Sequence, residues 1–197
     1  MKSFLLASGN PHKAEEFEAL CEGKLKINAS PASLEVEENG LSYSQNAFLK
    51  AKAYYEKYQS PSMADDSGLT IEELPGILGV ESARFEPKLT YPEKCDLLIE
   101  KLKGKSNRRA YFTCVLCFYE SPQNIYFFEG QLQGEISIER SGSGGFGYDP
   151  IFVPLRDEND GKTLAELPDW KNLFSHRAKA VQEALQFYKE TIDKTSK

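Results

Sequence analysis

Ala110-Tyr111-Phe112-Thr113-Cys114-Val115-Leu116-Cys117-Phe118-Tyr119-Glu120, then Ser121-Pro122-Gln123, then Asn124-Ile125-Tyr126-Phe127-Phe128-Glu129, is the stretch that decides the fold. Aromatic and β-branched residues crowd both halves, and the Ser-Pro-Gln step between them is a turn signal. The segment therefore reads as two strands, 110–120 and 124–129, joined as a central hairpin. Around it, strands and helices come in mixed order. Residues 3–7 form a short buried strand. Asn10 then suits an N-cap and Pro11 a first helical position, for a helix running to Cys21. A strand over 25–29 follows. Ser42 with Gln45 carries a capping-box signature for a helix to about Tyr58. Residues 62–65 form a short strand ending in an Asp65-Asp66-Ser67-Gly68 turn. Thr90 opens a helix with Pro92 and Glu93 in its first turn and Leu97, Leu98 and Leu102 as its apolar stripe. A strand over 134–139 leads into a glycine-rich loop. Ser175 caps a last helix to about Ile192, with Ala178, Val181, Leu185 and Tyr188 on one face. Such an order implies an α/β (mixed α+β) fold with a mixed sheet.

The chain has 197 residues, enough for one domain with an ordinary core, or one domain with two lobes. Its 40% hydrophobic and 27% charged residues are close to globular averages. A net charge of −6 argues against generic nucleic-acid binding, although an acidic whole still admits a small basic pocket for a polyphosphate. With no long apolar run, and a strand beginning almost at once, signal-peptide and membrane readings fail. Cys114 and Cys117 have C-x-x-C spacing, but positions three apart in a strand face opposite ways and cannot chelate together. With Cys21 and Cys95 they read as core thiols of a reducing, cytoplasmic protein.

The chemistry gathers in a few segments. Ser8-Gly9-Asn10-Pro11-His12-Lys13 places a tight turn between a strand and a helix N-terminus, where free N–H groups and the helix dipole favour an anion. The spacing is not that of a Walker A loop. A cation at Lys13 is poorly placed there unless it answers a bound phosphate. Asp65 and Asp66 close an apolar strand, and two adjacent carboxylates are not both comfortably buried without a proton or a cation. Magnesium suits such oxygen ligands. Glu35, Glu37 and Glu38 form an acidic loop before Asn39-Gly40, and Lys50 and Lys52 lie on the helix beyond it. Ser141-Gly142-Ser143-Gly144-Gly145-Phe146-Gly147-Tyr148-Asp149-Pro150 threads two aromatics and a carboxylate through a glycine loop, which suits a binding pocket better than a linker. His176 and Arg177 stand at a helix start, where cations again call for a ligand.

Four of these segments, in order, resemble the inosine triphosphate pyrophosphatase family: Leu5 to Lys13; Met63-Ala64-Asp65-Asp66-Ser67-Gly68-Leu69 with Ser82-Ala83-Arg84; Gly145 to Pro150; and Lys171-Asn172-Leu173-Phe174-Ser175-His176-Arg177. The resemblance spans nearly the whole chain. It implies a single pyrophosphatase domain over 1–197, an elongated central mixed sheet flanked by helices, two lobes with a substrate cleft between them, and a homodimer. It implies Mg2+ held by Glu38 and Asp66, with Glu37 as the fallback for Glu38. Asp66 becomes the catalytic carboxylate and Asp65 a supporting group or second ligand. The purine nucleoside triphosphate is expected on Ser8, Gly9, Asn10, Pro11, His12, Lys13, Lys50, Ser67, Arg84, Phe146, Gly147, Tyr148, Asp149, Lys171, His176 and Arg177.

The expected reaction is magnesium-dependent hydrolysis of ITP, dITP or XTP to the monophosphate and pyrophosphate, dominated by positioning and electrostatics. Arg177 is expected to donate to the C6 oxygen of hypoxanthine or xanthine, where adenine presents a donor instead. Phe146 or Tyr148 is expected to stack on the base. Two alternatives stand beside this reading. One is a related-fold pyrophosphatase for modified pyrimidine or methylated nucleotides, and the other is a nucleotide-binding regulator without catalysis.

Overall fold

A computed structural model of the chain describes residues 2–8, 11–158 and 160–195, and the side chains of all these except 11, 12, 14, 15 and 191–195. In chain order the elements are β1 (Ser3–Leu6), α1 (Pro11–Cys21), β2 (Lys26–Ala29), α2 (Tyr43–Tyr58), β3 (Ser62–Ile71), α3 (Tyr91–Lys101), β4 (Arg109–Ser121), β5 (Asn124–Ile136), β6 (Phe152–Pro154), α4 (Pro168–Phe174) and α5 (His176–Thr195). Six strands make one sheet in the order β2-β1-β3-β4-β5-β6. β1 runs parallel to both β2 and β3, whereas β6 is antiparallel to β5. The expected mixed α/β fold is the one found.

The hairpin at its centre is longer than its sequence suggests. β5 does not stop at 129 and resume at 134; it is continuous, with Phe128, Gly130, Leu132, Gly134 and Ile136 turned inward in strict alternation. Gly134 marks close approach, not a break. A Cβ on Gly134 would lie 2.4 Å from the Val153 carbonyl oxygen and 2.5 Å from the Phe152 ring of the neighbouring β6. β3 is also longer than expected and passes straight through Asp65 and Asp66, so the predicted turn there is absent. The expected N-cap, Asn10, lies outside the described residues. Ser42 does cap α2, accepting from the Gln45 N–H, while the Gln45 side chain reaches back one residue further, to the Leu41 N–H. Thr90 opens α3 as expected, and with Glu93 it forms a capping box. α4 was not foreseen.

The chain divides into two compact units. The first comprises Met1–Asp66, Cys114–Gly130 and Arg177–Lys197, and the second comprises Ser67–Thr113 and Gln131–His176. In the first unit α1 and α5 pack on one face of the strands, burying Phe17, Val181, Ala184 and Tyr188 against Phe4, Leu6, Met63 and Cys114. α2 covers the opposite face, with Ala47, Ala51 and Tyr54 against Ala64, Cys117 and Tyr119. Cys114 and Cys117 thus fall into different cores, as strand alternation requires, and all four cysteines are buried thiols. The second unit has its own core of Leu69, Ile71, Cys95, Leu98, Leu102, Phe112, Ile136 and Phe152.

Candidate active site

Because β3 remains extended through both aspartates, Asp65 and Asp66 point to opposite faces of the sheet. Met63 and Ala64, just before them, alternate between the two cores in the same way. Asp65 therefore belongs to the side of α1 and α5, and Asp66 to the side of α2. Each meets a different set of partners.

On the α2 face, Asn46 and Lys50 stand one turn apart. The Asn46 amide donates to Asp66 Oδ2 at 3.1 Å. Lys50 Nζ donates to Glu38 Oε2 at 2.7 Å and lies 3.6 Å from Asp66 Oδ1, so one ammonium bridges two carboxylates. Glu35 and Glu37 point to solvent, which makes Glu38 the glutamate of its loop that turns to this group. Burial pushes the Asp66 carboxyl up to about 6; Lys50 and the Asn46 amide oppose the rise, and Glu38 and Asp65 add to it. For Lys50 burial opposes the charge, but Asp65, Asp66 and Glu38 outweigh it and raise its pKa.

On the other face, Lys13 Nζ donates to both Asp65 oxygens, at 2.8 and 3.1 Å. Arg177, only 2% exposed, reaches Asp65 Oδ2 at 3.3 Å with one terminal nitrogen and Glu16 Oε1 at 3.2 Å with the other. Burial penalises the Asp65 charge, yet Lys13, Arg177 and Lys50 together hold its carboxyl far below the usual carboxylate range. Arg177 was expected to read the purine. In the structure both of its terminal nitrogens lie on carboxylates, and this buried guanidinium holds Asp65 in place.

In the second unit the glycine loop is pinned from inside. Asp149 is buried, accepting the Phe146 N–H at 2.8 Å and the Lys171 ammonium at 2.6 Å. A Cβ on Gly145 would sit 2.1 Å from that Asp149 oxygen, and φ there is +69°, so only glycine fits. Lys171 lies 4.4 Å from the centre of the Phe146 ring. Phe146 is 57% exposed, whereas Tyr148 is 4% exposed, packs edge-on against Tyr91 and donates its hydroxyl to the Ser82 carbonyl at 2.7 Å. Of the two aromatics expected to stack on a base, Phe146 alone has a face to offer. His176 is buried too, stacked on Phe112 with ring centres 4.8 Å apart. Arg84 is on the surface and paired with Glu81. Ser8 and Ser67 are half-buried, and Gly147 turns with φ +65° beside Tyr91. Gly9 and Asn10 lie outside the described residues, as do the side chains of Pro11 and His12.

A model of the Ham1 family matches residues 4–187. The chain belongs to the Ham1 family. Among Ham1 relatives, an Aquifex aeolicus protein named dITP/XTP pyrophosphatase is 40% identical, over 94% of this chain and 96% of its own length. A Leptospira interrogans protein of the same name is 41% identical, over 84% of this chain and 81% of its own. Of solved structures, a HAM1 protein from Coxiella burnetii superposes with a TM-score of 0.85 at 34% identity, covering 96% of this chain and all of that one. The Staphylococcus aureus Ham1 protein gives 0.84 at 31% identity, covering 96% and 99%. The motif resemblance drawn from the sequence is thereby borne out.

For a Ham1 chain expected to use a divalent cation, the Glu38–Lys50–Asp66 group passes a simple chemical test. Two hard carboxylates already converge on a positive charge. Among the described residues no group of three or more His, Cys, Asp or Glu could hold a metal. A cation here would complete its shell from phosphates and water, which is how magnesium is usually held. Asn46 and Glu16, which hold Asp66 and Arg177, went unread in the sequence. Neither belongs to a motif, and only the opposite pointing of Asp65 and Asp66 along β3 would have led to them.

Proposed function

We propose that this protein hydrolyses non-standard purine nucleoside triphosphates, of the dITP, ITP and XTP class, to the monophosphate and pyrophosphate. The observation that carries the reading is the cationic bridge of Lys50 between Glu38 and Asp66, beside a second buried charge group on the other face of the same strand. Such a group is poised for charge exchange. A triphosphate draws Lys50 and Lys13 toward its oxygens, and the carboxylates they leave become available. Mg2+ held by Glu38 and Asp66 would neutralise the phosphates and acidify a bound water.

The chain's own part is positional. Asp66, ionised above about pH 6, orients the attacking water through its carboxylate. Lys13 and Lys50 stabilise negative charge developing on the departing pyrophosphate. Arg177 keeps Asp65 charged and fixed, and Asp65 in turn sets the position of Lys13. Phe146, Asp149 and Lys171 are the candidates for purine recognition, with Phe146 as the stacking face.

The deciding assay measures pyrophosphate release from dITP, ITP, XTP, ATP and GTP, with and without Mg2+. Preference for the first three, abolished by chelation, is expected. Equal rates on all five purines would remove the specificity reading, and undiminished rates after chelation would remove the metal. Buried thiols fit action in the reducing cytoplasm. A homodimer is the expected assembly, checked by light scattering.

A further inference from the structure

Asn46 lies in the first turns of α2, four residues before Lys50, and is only 1% exposed. Both ends of its amide are committed. Oδ1 accepts the backbone N–H of Gly40 at 2.8 Å, and Nδ2 donates to Asp66 Oδ2 at 3.1 Å. One amide orientation alone satisfies both neighbours, since the flipped form sets oxygen against a carboxylate and NH2 against an N–H. The fit is close. A Cβ on Gly40 would lie 2.6 Å from Asn46 Oδ1 and 2.7 Å from Gln45 Cβ, so the turn after Glu38 approaches α2 as only glycine allows.

We propose that Asn46 is a positioning residue, the buried amide that ties the Glu38–Asn39–Gly40 turn to the Asp66 carboxylate and so sets the spacing of the two. The proposal rests on the reading of Glu38 and Asp66 given above. Glu38 stands in a loop without regular structure and Asp66 on a strand, so nothing in the backbone fixes one against the other. Two like charges left to themselves move apart. Lys50 draws them together, but that link is withdrawn once its ammonium turns to a substrate phosphate. Asn46 is neutral, carried on a helix, and keeps both bonds through the exchange. Its contribution therefore falls on the chemical step more than on binding.

The test compares wild type with Asn46→Asp and Asn46→Ala, reading kcat and KM for dITP and XTP, together with hydrogen exchange of the Gly40 amide in the free protein. Asn46→Asp is isosteric and still accepts the Gly40 N–H, but sets an oxygen against Asp66. It should keep Gly40 protected while kcat falls about tenfold or more and KM moves far less, as expected for a lost hydrogen bond to a charged group. Asn46→Ala should lose both the protection and the rate. Wild-type kcat in Asn46→Asp overturns the proposal. So does a Gly40 amide that exchanges freely in wild type or stays protected in Asn46→Ala. Should wild type itself fail on both substrates, the functional reading falls, and Gly40 exchange still decides whether the tether exists.

Discussion

Asp65 and Asp66 are the same residue one position apart, yet the strand gives them opposite energetic signs. Asp66 has a pKa raised from 3.8 to about 6, so its contribution to stability is present below the unfolded value and lost as pH rises through 6. At pH 7.5, without divalent metal, Asp66→Asn should leave the melting temperature unchanged or raise it, while removing most activity. Asp65 has a lowered pKa, so its contribution is present above 3.8 and lost only as pH falls through the lower folded value. Asp65→Asn leaves Arg177 and Lys13 short of a counter-charge, and breaking a buried pair costs about 3–5 kcal/mol. Thermal melts of the two variants should move in different directions; a matching drop in both would mean that Asp66 is structural. Asp66 stood out as a charge on an apolar strand, whereas Glu38 and Lys50, on the loop and helix before it, were singled out by the family resemblance, and the structure brings the three together. The Arg177 pairing was not readable in the sequence, because a basic residue at a helix start looks like a ligand contact and its carboxylate partner Glu16 lies 161 positions away. Arg177→Ala should now slow ITP and ATP hydrolysis alike and lower the melting temperature. A selective loss on ITP would mark it as the purine reader.

At the scale of elements, propensity located the strands and tertiary contact set their lengths. The hairpin was plain from its aromatic and β-branched content, the Ser42–Gln45 capping signature located α2, and Thr90 with Pro92 and Glu93 located α3. In the sequence Gly130 and Gly134 look like breaks in β5, whereas Gly134 is where β6 comes close. Gly134→Ala should overpack that contact against backbone, costing about 1–3 kcal/mol; an unchanged melting temperature would show that β6 yields freely. α3 carries a different anomaly. Lys94 is 5% exposed, with one 3.4 Å hydrogen bond to the Ala83 carbonyl and the Tyr91 ring 4.9 Å away. A buried charge so weakly answered is a poor source of stability, and an apolar side chain of similar length is often equal or better. Lys94→Met should melt at or above the wild-type temperature and keep its activity. A clear drop would mean that the ammonium, with Tyr148 on the preceding carbonyl, is needed to hold the 82–84 segment.

For the whole molecule, the two units are compact but neither is continuous in sequence. The chain passes from one to the other after Asp66, Thr113, Gly130 and His176, three of these within β3, β4 and β5. Two lobes were expected from the family resemblance, but these crossing points were not, because Asp65-Asp66 and Gly130 read as strand ends and not as the middles of continuous strands. Each unit has its own core, so independent melting is conceivable on packing alone. Against it, unfolding either unit requires strands to fray in mid-length, with hydrogen-bonded neighbours on both sides. We therefore expect a single cooperative transition. The chain supplies its own two probes. Trp170, its one tryptophan, lies in the second unit, while Cys21, Cys114 and Cys117 are buried in the first. Tryptophan fluorescence and labelling of newly exposed thiols, followed against urea, should give one midpoint, with Cys95→Ser used to confine the thiol signal to the first unit. Midpoints that separate beyond the error of the fits would show that the long strands do not couple the two cores.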